Sequence, residues 1–542
     1  GLLGALAPAF GWMPALGGAR LTLDPWRALF GWPGLPAAVA SSLITGLAAT
    51  LSALGLTALI FAGWHGTRAF RRIEQALAPM LAMPHAAAAF GLAFLIAPSG
   101  WIARALSPWA TGWDRPPDWL IVHDPHGLSL IAGLVAKETP FLALMTLAAL
   151  GQADAGRGVR AARTLGYGRA TAWLKVVAPL VYPQIRLPVF AALAYAMSNV
   201  EMALILGPTT PPTLAVQMLR WSVDPDLALR FQASAGAMLQ LLLILAALGL
   251  WRLGEIAVGR LGRRWIESGA RGRALDGPAR RAGALGAGLA ALALFGGLVG
   301  LAVWSLAGFW GFPDALPDAL TLRNWSRFGP RLLAIAGDTA LIAGASALIA
   351  LALVIGCLEA EHRNGVRPTT RSLWLLFLPL VIPQLSFLLG LQQLATAAGL
   401  DGGRMAVIAA HLVFVTPYVF LSLADPWRAW DARHARAAAT LGASPDRVLW
   451  AVRLPMLLAP VLSAAAVGAA VSVGLYLPTL LIGGGRVSTL ATEAVALAAG
   501  GDRRAIGTHA LALTAAGMIG FVLALALPAL AFRKRRGLRD RA

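Results

Sequence analysis

Long apolar runs, separated by short stretches rich in Gly, Pro and charge, dominate the chain. Val39 to Trp64, Leu285 to Leu306 and Ala505 to Phe532 are examples, and each is near the about 20 residues that carry a helix across a bilayer. The pattern predicts helices near residues 1–18, 37–63, 77–102, 127–150, 189–206 and 233–253, and a second set near 283–307, 334–358, 372–397, 405–424, 459–482 and 506–531. Lipid offers no partner to a backbone N–H or C=O, so the runs must pair internally as helices. The expected fold class is an all-α polytopic membrane protein of about twelve spans. The first run, GLLGALAPAFGWMPALGG, reads as a first membrane helix with a trimmed start rather than as a cleaved signal.

Composition agrees. Of 542 residues, 58% are hydrophobic and 13% charged, against roughly a quarter charged in soluble domains. The net charge of +20 brings to mind nucleic acid, but the arginines lie in short loops between apolar runs with no aromatic-basic face, so no nucleic-acid partner is expected. They act as topology signals instead. Loops after the second, fourth, sixth, eighth and tenth predicted helices, with the C-terminal tail, hold 31 of the 45 Lys and Arg, against 13 in the opposite loops and Lys137 within a helix. Positive charge stays in the cytoplasm, so both termini are predicted to face it. The single cysteine, Cys357, lies in an apolar run and is expected to be a buried thiol.

An internal repeat organises the chain. Residues 160–166 read RAARTLG and residues 436–442 read RAAATLG, and Pro179 and Pro455 each lie thirteen residues beyond the shared glycine, at one offset of 276. Both copies follow the fourth helix of a six-helix set on the same predicted side, which makes the duplication parallel. The division is residues 1–254 with a loop at about 151–188, a linker at 255–282 read as a solvated polar connector, and 283–542 with a loop at about 427–458. In each loop, Ala-rich turns form a short helix, Gly166 or Gly442 permits a reversal, and a second helix runs toward the proline.

Those spacings resemble the cytoplasmic loop of bacterial ABC importer permeases: E-A-A, three residues, Gly, nine residues, I-x-L-P. Ala161, Ala162, Gly166, Val176 and Pro179 fit in one copy, and Ala437, Ala438, Gly442, Val452, Leu454 and Pro455 in the other. Arg160 and Arg436 stand where the family has Glu, and Ala178 where it has Leu, so a role specific to that Glu is in doubt. The fused two-half plan, with MALILGPTTPPTLAVQML and PTLLIGGGRVSTLATEAV after the fifth helices, is similar to thiamine and ferric-iron permeases, and closest to a thiamine-permease branch. The resemblance implies a type I importer permease of the bacterial inner membrane. It implies two copies of a separate ATPase subunit holding ATP and Mg²⁺, a periplasmic binding protein, and coupling through Arg160, Ala161, Ala162, Gly166, Pro179, Arg436, Ala437, Ala438, Gly442 and Pro455.

Intramembrane ionisable residues mark candidate paths. Lys137 and Glu138 fall in the fourth predicted helix and Glu201 in the fifth, beside Ser198 and Asn199; Phe414, Val415 and Leu477 occupy the repeat positions, near Tyr476 and Thr479. Two readings stand: Glu201 meets a cationic small-molecule substrate, or Lys137 pairs with Glu201 or Glu138 to hold helices together. Pro140 and Pro417 interrupt the fourth helices as hinges or passive kinks. Trp26, Trp32, Trp101, Trp109, Trp113, Trp119, Trp310 and Trp325 suit interfacial contact with lipid. Loops with Asp224, Asp226, Asp314 and Asp318 are candidate binding-protein contacts.

No phosphate loop is present, since the only lysines are Lys137, Lys175 and Lys534 and none follows Gly. The chain is therefore not its own ATPase, no metal or reactive cluster is expected on it, and no cofactor of its own is implied. A twelve-helix secondary transporter is the alternative, but it leaves both RAA loops unexplained. A membrane enzyme or scaffold would need a reactive cluster or a soluble domain.

Overall fold

The computed structural model describes residues 1–152, 155–400 and 402–531. Residues 153 and 154 of the first loop and the basic tail from 532 onward lie outside these. Nine helices among the described residues are long and apolar enough to cross a membrane, or up to eleven if each of two bent pairs counts as one span. The expectation of about twelve is corrected at the N-terminus. Residues 1–18 do not form a span: a short helix, Leu2–Ala9, gives way to a two-residue hairpin, Trp12–Met13 against Gly18–Ala19. Apolar character alone could not continue that helix through Gly11 and Gly17, both at φ +82°.

Two compact units are present. Among the described residues, the first comprises Gly1–Arg327, Val381–Gly390 and Leu497–Leu511; the second comprises Phe328–Leu380, Leu391–Ala496 and the residues from Ala512 to the end of the described chain at 531. Within the first, the Leu35–Trp64 helix buries a stripe of small residues, among them Ala38, Ser42, Ala49 and Ala53. Small side chains let helices approach where lipid gives no hydrophobic drive. Gly91 and Gly297 show the limit of that approach, since a Cβ on either would lie 2.8 Å from the other's carbonyl carbon. That contact seats the Gly297–Leu306 segment in the first unit. The second unit is built around Val354, Leu358, Val415, Val419, Leu423 and Trp427. Cys357 is exposed on the apolar Arg323–Asn364 helix, so its thiol faces outward and not into a core.

Several helices break inside the apolar zone. Arg68–Ala82 ends before Met83 and Pro84, and His85–Ile96 begins anew, because proline cannot continue the ladder. Ala178–Ser198 stops before Asn199, with Glu201–Leu206 beyond, and Leu458–Gly474 stops before Leu475, with Tyr476–Gly483 beyond. Asn199 and Leu475 are 276 residues apart. By contrast Pro140 and Pro417 sit inside helices that continue on both sides, Leu128–Gln152 and Arg404–Arg428, so neither ends its helix.

The linker is largely exposed, as expected of a solvated connector, but it is ordered and not free. The helix expected to end near 253 runs from Leu229 to Glu267, and the chain then turns back and packs its next residues against the first RAA loop.

Candidate functional site

Both RAA loops fold to one pattern. Ala155–Thr164 leads to Gly166, then Arg169–Ala172; Arg433–Thr440 leads to Gly442, then Pro445–Val448. Gly166 sits at φ +86° and Gly442 at +80°, a left-handed conformation that costs an L side chain about 1–2 kcal/mol. Each glycine closes a Schellman turn. Gly166 N–H donates to the Arg163 carbonyl at 3.0 Å and Tyr167 N–H to that of Ala162 at 3.2 Å, while Gly442 donates to Ala439 at 2.9 Å and Ala443 to Ala438 at 3.1 Å. The Thr164 and Thr440 hydroxyls donate to Ala161 and Ala437 at 2.7 Å in both copies. The alanines of the motif thus supply the carbonyls that end the helix. Arg160 and Arg436 are exposed. Leu165 and Leu441, just before the glycines, are 66% and 88% exposed, a pair of apolar knobs that the sequence reading passed over.

A π-helical segment follows each turn, Trp173–Val177 and Leu449–Arg453, immediately before Ala178–Pro179 and Leu454–Pro455. Widening the ladder there relieves the clash between a proline ring and the carbonyl four residues back. A buried cation anchors each loop. Lys175 donates to the carbonyls of Trp265 at 2.7 Å and Ala270 at 3.0 Å and lies over the Tyr167 and Trp265 rings. Arg453 donates to Glu359 at 2.8 Å and to the Trp427 carbonyl at 3.0 Å, over the Trp427 and Trp430 rings.

Among the membrane-buried groups, Lys137 and Glu138 diverge. The Lys137 Nζ donates to the carbonyls of Met83 at 2.7 Å, Met80 at 3.0 Å and Leu81 at 3.3 Å. These are the last carbonyls of Arg68–Ala82 and its cap residue, left without helical donors by the break at Pro84, and a cation suits the negative end of the helix dipole. The ammonium is committed to that helix end and not to Glu201 or Glu138, contrary to the ion-pair reading. Glu138 lies beside the Thr50 hydroxyl, and both its carboxylate oxygens are buried with no other hydrogen-bond partner among the described residues. Asn199 bridges the break in its own helix, accepting from Met202 N–H at 2.8 Å and donating to the Tyr195 hydroxyl at 2.5 Å. Ser198 donates back to Ala194 at 2.7 Å. Glu201 is half-buried in the first turn of Glu201–Leu206.

The family whose members are the inner membrane components of binding-protein-dependent transport systems matches residues 352–536. The inner membrane ABC transporter permease protein YnjC of Escherichia coli is 32% identical over 483 residues, covering 89% of this chain and 86% of that protein. The chain belongs to the ABC transporter permeases. The molybdenum transport system permease protein ModB of Mycobacterium tuberculosis is 30% identical over 186 residues, 31% of this chain and 70% of its own. The putrescine transport system permease protein PotI of Escherichia coli is 37% identical over 90 residues, 16% and 32% of the two chains. This permease is accordingly a multi-pass inner-membrane subunit of an importer with the type I fold, ATP hydrolysis residing in separate subunits. The secondary-transporter alternative is set aside.

The permease also carries a buried group that sequence reading missed. His411 contacts the Ser472 hydroxyl at 2.7 Å through Nδ1 and that of Thr479 at 2.9 Å through Nε2. Thr479 spends its own proton on the Leu475 carbonyl at 3.0 Å, so it accepts from Nε2–H, which leaves Nδ1 to accept from Ser472. The imidazole ties together the two helix segments on either side of Leu475. Thr479 is fully buried and Tyr476 nearly so. A lone His in an apolar run carries no sequence signal of such partners, which lie 61 and 68 residues away.

The predicted aspartates divide between open turns and an anchored loop. Asp224 and Asp226 cap their own turn. The Asp314 carbonyl, with that of Gly311, instead receives Arg104, whose guanidinium lies over Trp304 and Trp310.

Proposed function

We propose that this permease forms the translocation path of an ATP-driven importer and couples to two copies of an ATPase subunit, one at each RAA turn. The observation that carries the reading is the twin construction of the turns. Two left-handed glycines, two Schellman closures, two exposed leucines and two π-helical entries recur at one offset, and a pair of partner clefts would call for that duplication. Arg160, Ala161, Ala162, Gly166 and Pro179 form one coupling element and Arg436, Ala437, Ala438, Gly442 and Pro455 the other. Residues 1–254 and 283–542 act as the two permease halves joined by 255–282, with both termini cytoplasmic and ATP and Mg²⁺ held on the partners. Replacing Gly166 or Gly442 by Trp should lower ATPase-driven uptake in proteoliposomes at least tenfold while the permease stays folded. Unchanged uptake in both variants would overturn the coupling role.

For the substrate, delivered by a periplasmic binding protein, the reading is a small organic cation of the thiamine or polyamine class. It is supported by the acids Glu201 and Glu138 at membrane depth beside Ser198 and Asn199, with Tyr476 and Thr479 at the repeat positions of the path. Ferric iron finds less support, because no group of three or more His, Cys, Asp or Glu able to hold a metal ion occurs among the described residues. The name of the ModB relative suggests an oxyanion instead, but the Lys137 ammonium is already committed to carbonyls. Thermal-shift screening of the cognate binding protein against thiamine, putrescine, spermidine, molybdate and ferric citrate decides between them, and stabilisation by molybdate alone would overturn the cation reading. Glu201→Gln should then keep yield and lower uptake of the cation.

A further inference from the structure

The two RAA turns differ in what surrounds them. The second stands open, since a Cβ on Gly442 would meet no atom within 4 Å. Around the first, the linker is fastened by a series of bonds. Asp276 accepts from the backbone N–H of Arg169 at 2.7 Å and Ala170 at 2.9 Å, filling the N-terminus of the short helix after the turn. Gly168 N–H donates to the Arg271 carbonyl at 2.8 Å, and Arg273 Nε donates to the Gly166 carbonyl at 2.8 Å. A Cβ on Gly166 would come within 2.9 Å of the Arg273 guanidinium and 3.4 Å of that of Arg271. Lys175 holds the start of the same linker through Trp265 and Ala270.

The charges differ in part, although Arg436 and Arg447 are exposed in the second loop as well. Arg271 and Arg273 are exposed and reach the Gly166 turn, Arg160 and Arg163 are exposed on the helix that leads into that turn, and the Asp276 carboxylate is occupied by backbone amides. In the second loop Arg433 pairs with Asp431 at 2.6 Å, and Asp446 pairs with Arg363 at 2.9 Å.

We infer that the linker is part of the first docking element: it holds that turn in place before the partner arrives, and it adds Arg271 and Arg273 to a basic face for an ATPase subunit whose cleft is acidic there. This rests on the coupling role proposed above. The two ATPase copies are then bound unequally, the first through a preorganised basic surface and the second through an open turn. Ordering the first turn in advance removes part of the entropy that the second must lose on binding.

The experiment titrates the cognate ATPase subunit onto the full-length permease in nanodiscs and reads copy number and affinity by native mass spectrometry. Gly442→Trp isolates the first element and Gly166→Trp the second. With the first isolated, Arg271→Glu with Arg273→Glu should weaken binding at least tenfold; with the second isolated, the same change should alter it less than twofold. Equal effects on both elements, or none on the first, overturn the inference. If both tryptophan variants still bind two copies, the coupling role itself falls. Should the double-Glu variant misfold, the salt dependence of the unaltered Arg pair decides. Binding at the first element should fall more steeply between 50 and 300 mM NaCl (on the order of the range over which exposed charges are screened) than binding at the second, and parallel slopes overturn the inference.

Discussion

Replacing Lys137 by Met tests how the broken helix is held inside the membrane. Met keeps the unbranched stem but loses the ammonium, so the carbonyls of Met83 and Met80, bonded at 2.7 and 3.0 Å, lose their donor, and the longer contact to Leu81 at 3.3 Å adds little. A buried acceptor left unsatisfied costs about 1–3 kcal/mol, so the two short bonds amount to about 2–6 kcal/mol. Removing a buried ammonium gives back a few kcal/mol of desolvation, of the order known for ions in protein interiors. The net expectation is a loss of about 1–3 kcal/mol, localised at the end of Arg68–Ala82, with Lys137→Arg losing less because it keeps a charged donor. Tryptophan-fluorescence unfolding in detergent reads the shift. The decisive comparison is with Glu201→Gln and the double variant. A carbonyl cap predicts that the two changes add within about 0.5 kcal/mol. If Lys137→Met instead restores a yield that Glu201→Gln has lost, the two residues form an ion pair and the cap account is wrong.

Two further outcomes follow from local geometry. Asp124, only 7% exposed, accepts from the N–H groups of Leu128 and Ser129 at 2.8 and 3.0 Å and from the Ser129 hydroxyl at 2.9 Å. Burial pushes its carboxyl up, but those bonds more than offset the push and hold it below its ordinary value. A depressed carboxyl stabilises the fold above its unfolded value and loses that contribution as pH falls through the folded one. Asp124→Ala should therefore cost about 1–2 kcal/mol at pH 7, and the gap to the parent should close as pH drops below about 4; a gap constant down to pH 3 would contradict the cap. His411→Leu should free the two segments around Leu475 at a cost of about 1–3 kcal/mol, seen as faster proteolysis near residue 475, and unaltered cleavage would remove the tie.

How much of this could be read from sequence depends on how local each signal is. The RAA turns were legible because a Schellman turn needs its glycine and its helix end within six residues, and the repeat at 276 displayed the pattern twice. Apolar runs located most spans. Residues 1–18 misled because mean hydropathy does not report the turns at Gly11 and Gly17, and the extension of the sixth predicted helix to Glu267 went unseen because the apolar run turns charged at Arg252 and Glu255, which ends a membrane span but not a helix. The partners of Lys137 are backbone carbonyls more than fifty residues away, and backbone acceptors carry no side-chain signature. The docked linker was hidden for the same reason, since Asp276 meets amide groups over a hundred residues earlier. Charge count suggested a solvated segment, and only tertiary structure shows which of those charges are in use.

The central claim is that one chain presents two docking elements to two ATPase subunits. Native mass spectrometry of the importer, purified intact from cells that co-express the permease, the ATPase subunit and the binding protein, measures this directly. The account predicts one permease chain with two ATPase copies, falling to one copy when either Gly166 or Gly442 is replaced by Trp. A parent complex with a single copy, or two copies retained in both variants, would contradict it.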